Sequence, residues 1–295
     1  MLNRVTNLTM TAAAQRTLQT QQSKLADLQD KASTLNKISR PSDDPAATAQ
    51  ALATRALQAA NAQYGRNIDD GNTWLSAADS ALQQAGNVMQ RIKDLTVQAG
   101  NGTLPQSGKD AIANELDSLN QDLINVANSK HLGRNIFAGN SDKAMPFDGA
   151  MPPTFVAAGT SPVERRISET QTVRVDADGG TIFGSGTGSV FDTVNKLATD
   201  LRNGADTLPR VSEIDDAYKK IVNGRADVGA RQAQLDRAGT VNTGMEASLD
   251  AQRTGIEKAD LGSVIMDLKL QETNYQVALA ATARVLQPTL MDFLR

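Results

Sequence analysis

The chain has 295 residues, a formal charge of −3, one histidine and no cysteine. That near-neutral balance supplies no basic face for nucleic acid or anionic lipid, and the missing thiols exclude disulfides and thiolate metal sites. Aromatic residues are 3% of the total and much of the apolar content is alanine, which suits long helices packed side by side better than a bulky core. No apolar run reaches membrane-spanning length, so no membrane insertion is expected. Met1–Thr6 lacks the apolar stretch of a cleaved secretory signal.

From Leu18 the apolar residues fall on a seven-residue grid. Leu18, Leu25 and Ala32 form one row, and Leu28 and Leu35 its partner, giving a coiled-coil seam of about three heptads. Gln21 and Ala32 leave it thin, so this helix is marginal alone and needs a partner. It runs into a corner, Arg40-Pro41-Ser42-Asp43-Asp44-Pro45. There Pro41 biases Arg40 away from helix and is expected to stop the incoming segment. Asp44 caps the next helix, Pro45 occupies its first turn, and Asp43 adds charge at the positive end of the dipole. With no histidine or second acidic motif nearby, capping is preferred over a catalytic carboxylate pair.

Pro45 to about Gly100 reads as one helix, with irregularity expected near Gly65 and Gly71. Leu75, Ala78, Leu82, Ala85, Met89 and Ile92 make a second seam. Asn101-Gly102 supplies a turn. A third helix comes next, with Ile112, Leu116, Leu119, Leu123 and Val126 on one stripe, and should form an antiparallel hairpin with the second. From Gly133 the chain turns rich in glycine, proline and phenylalanine. Thr172–Asp176 alternates with period two, and Asp178-Gly179-Gly180 is expected to turn it back into Thr181-Ile182-Phe183 as a β-hairpin. The Gly184–Gly188 run lacks phosphate-loop spacing and reads as a linker. Phe191 to Arg202 is a short helix.

The cleanest repeat lies beyond it: Ile214, Ile221, Val228, Leu235, Asn242, Leu249 and Ile256, with Asn242 a candidate for fixing register. Gly255 and Gly262 mark a softened joint. The last seam is Leu261, Ile265, Leu268, Glu272, Tyr275, Leu279, Thr282, Leu286 and Phe293, interrupted by Glu272 and Thr282.

These elements imply a mainly α fold. It is an elongated bundle of long antiparallel helices with terminal coiled-coil helices and a small β-rich insert. Residues 1–44 and 257–295 would pair as an inner assembly region, 45–139 and 190–256 would form the helical rod, and 140–189 the outer insert. Candidate chemistry is sparse. His131 is expected near a helix end and Trp74 as a packing anchor; no nucleophile triad or metal-loop spacing appears. No cofactor is implied, and an enzyme is not expected. A ligand-binding role for the insert would need a convergent polar set, which 140–190 does not show.

The chain also carries a family likeness. Lys37-Ile38-Ser39-Arg40-Pro41-Ser42-Asp43-Asp44-Pro45-Ala46-Ala47 resembles the signature near the N-terminus of flagellins and flagellin-like hook-associated proteins. Arg66-Asn67-Ile68, Trp74-Leu75 and Ala81-Leu82 resemble the family's next helix, and Gly102-Thr103-Leu104 and Glu115-Leu116 its succeeding turn and helix. Tyr275–Leu279 and Leu286–Leu294 resemble the family's last helix. The likeness covers Met1–Gly139 and Ala205–Arg295. Within the family, Gly133–Gly139 and the ending Leu290–Leu294 resemble the hook–filament junction members, with a short filament-forming flagellin as the alternative. Leu35-Asn36 stands where the family has a glycine, and is expected to let the first helix run further toward the corner. The resemblance implies a structural protein exported by the flagellar type III apparatus with a chaperone, and assembled as a ring-like layer. Its partners would be copies of itself, the neighbouring junction protein and flagellin. The assembly interface would be Leu18, Leu25, Leu28, Leu35, Leu261, Ile265, Leu268, Tyr275, Leu279, Leu286 and Phe293.

Overall fold

The structure, a computed structural model, describes residues 2–100, 104–159 and 161–286, with side chains other than those of 2–8 and 285–286. Among the described residues the elements are α1 (Leu2–Thr34), α2 (Pro45–Ala99), α3 (Gln106–Ala127), β1 (Lys130–His131), β2 (Arg134–Asn135), β3 (Glu164–Arg166), β4 (Thr172–Arg174), α4 (Gly179–Phe183), α5 (Val190–Arg202), α6 (Leu208–Glu257) and α7 (Leu261–Leu286). The mainly α expectation holds, and among the described residues the strands form two two-stranded antiparallel ribbons. The expected Asn101-Gly102 turn lies outside the described residues. The chain forms two compact units, one of residues 61–245 and one of residues 1–60 with 246–295.

The unit of 61–245 is built on the α2 seam. Leu75, Ala78, Leu82, Ala85, Met89 and Ile92 are all fully buried. Facing them are Ile214, Ile221, Val228 and Leu235 of α6, equally buried, as the heptad spacing predicts. The polar pairs Asn61 with Asn242, Asn72 with Asp236, Asp79 with Arg225 and Lys93 with Asp215 show α2 and α6 to run antiparallel. Asn242 does occupy a register position. Its amide donates to the Asn61 carbonyl at 2.9 Å and to Asn61 Oδ1 at 2.8 Å, while Asn61 donates back to the Asn242 carbonyl at 3.0 Å. The helix is unbroken at Gly71, whose missing side chain serves packing instead. A Cβ there would lie 2.9 Å from Leu235 Cδ1.

α3 pairs with α2 through Arg91 and Glu115 and with α5 through Asn120, whose amide donates to the Phe191 carbonyl. Ile112, Leu116 and Leu123 of the expected α3 stripe are buried, and Leu119 and Val126 pack at its edge. The phenylalanines that give the middle of the sequence its character complete this core. Phe137, Phe147, Phe183 and Phe191 are fully buried, with Phe147 5.9 Å from Phe183 and 5.1 Å from Phe191 in edge contacts. Such pairs add to simple area burial.

The local pairing of 172–183 differs from expectation. β4 pairs with β3, in register Glu164↔Arg174, Arg165↔Val173 and Arg166↔Thr172, and 179–183 is the helix α4 rather than a return strand. Asp178 caps this helix, its carboxylate accepting the Gly180 and Thr181 N–H groups at 3.0 and 3.3 Å. Gly184, Gly186 and Gly188 all have positive φ, so the glycine run is a set of tight turns. It ends at Ser189, whose hydroxyl caps α5.

Candidate assembly surface

In the unit of 1–60 and 246–295, α1 and α7 pack against each other. On α1 the inward residues are Thr11, Ala14, Leu18, Gln21, Leu25, Leu28 and Ala32, a 3–4 repeat that places the expected Leu18, Leu25 and Leu28 in the seam. On α7 the inward row is Val264, Leu268, Gln271, Tyr275, Ala278 and Thr282. It shares Leu268, Tyr275 and Thr282 with the row read from the sequence. Leu261, Ile265 and Leu279 lie outside it, each 43–48% exposed. Leu286 ends α7, and its side chain, like Phe293, lies outside the described residues. Two interleaved 3–4 rows run along α7, and both satisfy apolar spacing. The occupied one is marked by a polar layer that spacing alone does not reveal. Gln271, 9% exposed, donates through Nε2 to the Gln21 carbonyl at 3.1 Å and to its side-chain oxygen at 2.5 Å.

The rest of the α7 surface is mixed, with apolar side chains exposed among polar ones such as Asp267, Lys269 and Gln276. Met266, Leu270 and Val277 are 62–72% exposed and, at about 100° per residue, lie on the far side from the α1 seam. Large apolar side chains exposed together on a helix are a surface that another element can cover.

The connector after α1 departs from the sequence reading. α1 ends at Thr34, so the helix stop is Leu35 rather than Pro41. Leu35 takes φ +55°, and its N–H bonds the Lys31 carbonyl. Nor does the helix extend toward the corner. The Leu35 carbonyl accepts the Ala259 N–H at 2.9 Å and the Lys37 N–H donates to the Glu257 carbonyl at 2.7 Å. A continued helix would forfeit both bonds to the α6–α7 connector. Glu257 also takes Arg55 Nε at 2.7 Å. Leu35 therefore belongs to a backbone clasp and is absent from the seam.

At the corner itself the capping assignment holds. Asp44 Oδ1 accepts the Ala47 N–H at 2.9 Å, with Pro45 the first residue of α2. Asp43 turns inward on the loop and accepts the Arg40 N–H at 2.8 Å. Arg40, Pro41, Ser42 and Asp43 are exposed and Asp44 half-buried. A groove of about 180 Å³ runs beneath, lined by Ile38, Arg40, Pro41, Ala51 and Leu52 among others.

In the other unit, His131 sits in β1 past the end of α3, its ring edge-on to Trp74 at 5.1 Å. Trp74 packs on the core as expected. Titration is perturbed at structural ion pairs. The Asp215 carboxyl is lowered to about 2 by Lys219 and then Lys93. At Asp192 burial pushes the carboxyl up, but the Gly188 N–H and Lys196 together outweigh it and hold it below the ordinary value. Among the described residues no three acidic or histidine side chains gather as a metal-holding group. No described helix is long and apolar enough to cross a membrane.

The family models for the bacterial flagellin N-terminal helical region and C-terminal helical region match residues 5–142 and 211–294. The chain belongs to the bacterial flagellin family. The matched segments contain most of α1, α2, α3 and the β1–β2 ribbon at one end and α7 with most of α6 at the other. Residues 143–210, which hold β3, β4, α4 and α5, lie outside both. The flagellar hook-associated protein 3 of Salmonella typhimurium is 26% identical over 277 residues, covering 85% of this chain and 87% of the relative. The flagellar filament 33 kDa core protein of Treponema phagedenis is 26% identical over 94% of this chain and 93% of its own. Two crystal structures share the fold. Bacillus cereus FlgL has a TM-score of 0.60 at 22% identity, over 68% of this chain and 99% of that one. The flagellar junction protein FlgL from Legionella pneumophila has 0.60 at 16%, over 70% and 99%.

Proposed function

We propose that this chain is a structural, non-enzymatic component of the bacterial flagellum that forms a junction layer between hook and filament. The observation that carries the assembly reading is the apolar surface of α7 outside its α1 seam, which copies of the same helix in a ring would cover. The likeness to hook-associated protein 3 over most of both chains favours the junction over the filament. In this reading Leu18, Leu25, Leu28, Leu268 and Tyr275 hold the α1–α7 pair. Leu261, Ile265 and Leu279 face neighbouring copies, and the sequence resemblance assigns Leu286 and Phe293 to the same interface. The Arg40–Pro45 corner separates the terminal pair from the helices beyond it. The partners are copies of the chain, flagellin, the adjacent junction protein and an export chaperone, and the chain leaves the cell through the flagellar type III route.

A short filament-forming flagellin is the second reading, favoured by the nearly end-to-end likeness to a filament core protein. Deleting the gene separates the two. Loss of a junction protein leaves finished hooks that release flagellin unpolymerised, restored by the intact gene. Long filaments grown from the purified chain alone would establish the filament subunit instead.

A further inference from the structure

In the unit of 61–245, α4 rests directly on α6. At Gly224 a Cβ would lie 2.7 Å from Ile182 Cγ1, so a larger residue there would have to displace Ile182. Beside this contact lie two adjoining cavities of about 400 and 270 Å³, which share Arg174, Asp178 and Thr181 in their walls. Residues 140–190 supply only part of the polar lining. The fold adds Lys220, Asn223, Asp227 and Arg231 from α6, a convergence that the sequence of the insert alone cannot display.

The charged groups of this cleft are anchored within the fold. Buried Asp176 accepts Arg174 Nε at 2.9 Å and Nη2 at 2.7 Å, and its carbonyl accepts Arg231 Nη1 at 2.8 Å. Asp227 takes Arg231 Nη2, and Asp178 is engaged by the α4 N–H groups and by the Thr181 hydroxyl at 3.0 Å. Cations and carboxylates are equal in number, so the unspent groups rather than net charge select a ligand. Among the described residues, Arg174 Nη1, Arg231 Nε and the side chains of Lys220 and Asn223 have no partner. These are chiefly donors. Two of them belong to guanidiniums already held in place, so an acceptor binds them with little further ordering. Each arginine already faces a carboxylate, which favours a singly charged ligand over a dianionic phosphate. Asp227 keeps lone pairs for hydroxyl donors, and buried Ile182 and Val228 give the cleft an apolar floor.

We propose that this cleft binds a sugar acid. Its carboxylate meets Lys220 and the free guanidinium N–H groups, its hydroxyls meet Asn223 and Asp227, and a C–H face of the ring lies on Ile182 and Val228. The cavities have the size of small-molecule sites. This binding function is separate from the assembly role and does not depend on it.

Titrating the purified full chain with glucuronate, followed by amide NMR shifts, tests it. Saturable shifts are expected at 174–182 and 220–231. Glucose lacks the carboxylate and acetate lacks the hydroxylated ring, so each should bind roughly tenfold more weakly or less well still. Lys220 and Asn223 have no polar partner in the fold, so Lys220→Gln and Asn223→Ala should keep the melting temperature of the parent chain. Lys220→Gln should weaken glucuronate binding roughly tenfold, the loss of one charge-assisted contact, and Asn223→Ala by a smaller factor. Absence of saturation, equal affinity for glucose or acetate, or undiminished affinity in either variant overturns the proposal. None of these results bears on the assembly reading, which the gene deletion decides.

Discussion

Two antiparallel pairs of long helices make an instructive contrast. The α2–α6 pair in the unit of 61–245 and the α1–α7 pair in the other unit carry apolar repeats of similar spacing. Yet the α2 seam is fully buried, while the α1–α7 seam is mostly half-buried and includes a Gln–Gln layer. The difference is the third layer. α2 and α6 are backed by α3, α5 and four phenylalanines, so the core is covered on more than one side. Among the described residues α1 and α7 pack chiefly on each other, and two helices cannot enclose side chains that point sideways. The first pair is completed by its own chain, and in the proposed assembly the second is completed by other chains, a distinction that single substitutions can break.

The largest effect should come from Phe183→Ala, which opens a void among Phe137, Phe147 and Phe191 and should destabilise the unit of 61–245 by about 3–5 kcal/mol in denaturant titration. An equal effect from Leu268→Ala, at the half-buried seam of α7, would erase the contrast. We expect Leu268→Ala to leave the main unfolding transition in place and to lower recovery in flagella. Next, Gly71→Ala should cost about 1–3 kcal/mol, because its Cβ would lie 2.9–3.0 Å from methyls of Leu235 and Val175, which must shift to make room. Asp44→Ala removes the cap of α2 and should cost about 1 kcal/mol by the same titration. Smallest is acid titration. Asp215 is held at about 2, below its ordinary 3.8, so the stabilisation it gives is complete above that ordinary value and disappears as pH falls through about 2. Being exposed, the pair is also weakened by salt. Asp215→Asn should flatten that acid limb of the stability profile.

Sequence is most informative where burial is complete. Every member of the α2 seam and the first four α6 heptad positions are in the core, because a dry interface leaves one face of the helix available. α7 is harder to read, since two apolar rows overlap on it and the deciding contact is an amide pair with no apolar signature. Leu35 and Leu132, the latter in the β1–β2 turn, both have positive φ and are illegible for another reason. Leucine is a poor choice at positive φ, so nothing in its identity signals a helix end or a turn; the signal at 133 is the glycine beside it. The 172–183 region misleads because Asp-Gly-Gly serves a hairpin turn and a helix cap equally well. The choice falls to Phe137, whose carbonyl takes the Gly179 N–H at 3.1 Å, and to the burial of Ile182 and Phe183. Asp44 is legible because capping is local chemistry, settled within four residues.

Hydrogen exchange on the free chain and on isolated flagella tests the central claim most directly. The account predicts that amides of α1 and α7 exchange quickly in the free monomer and become protected in the assembled state, while the parts of α2 and α6 within 61–245 are protected in both. Strong protection of α1 and α7 in a verified monomer would show that the pair is complete by itself and would contradict the account.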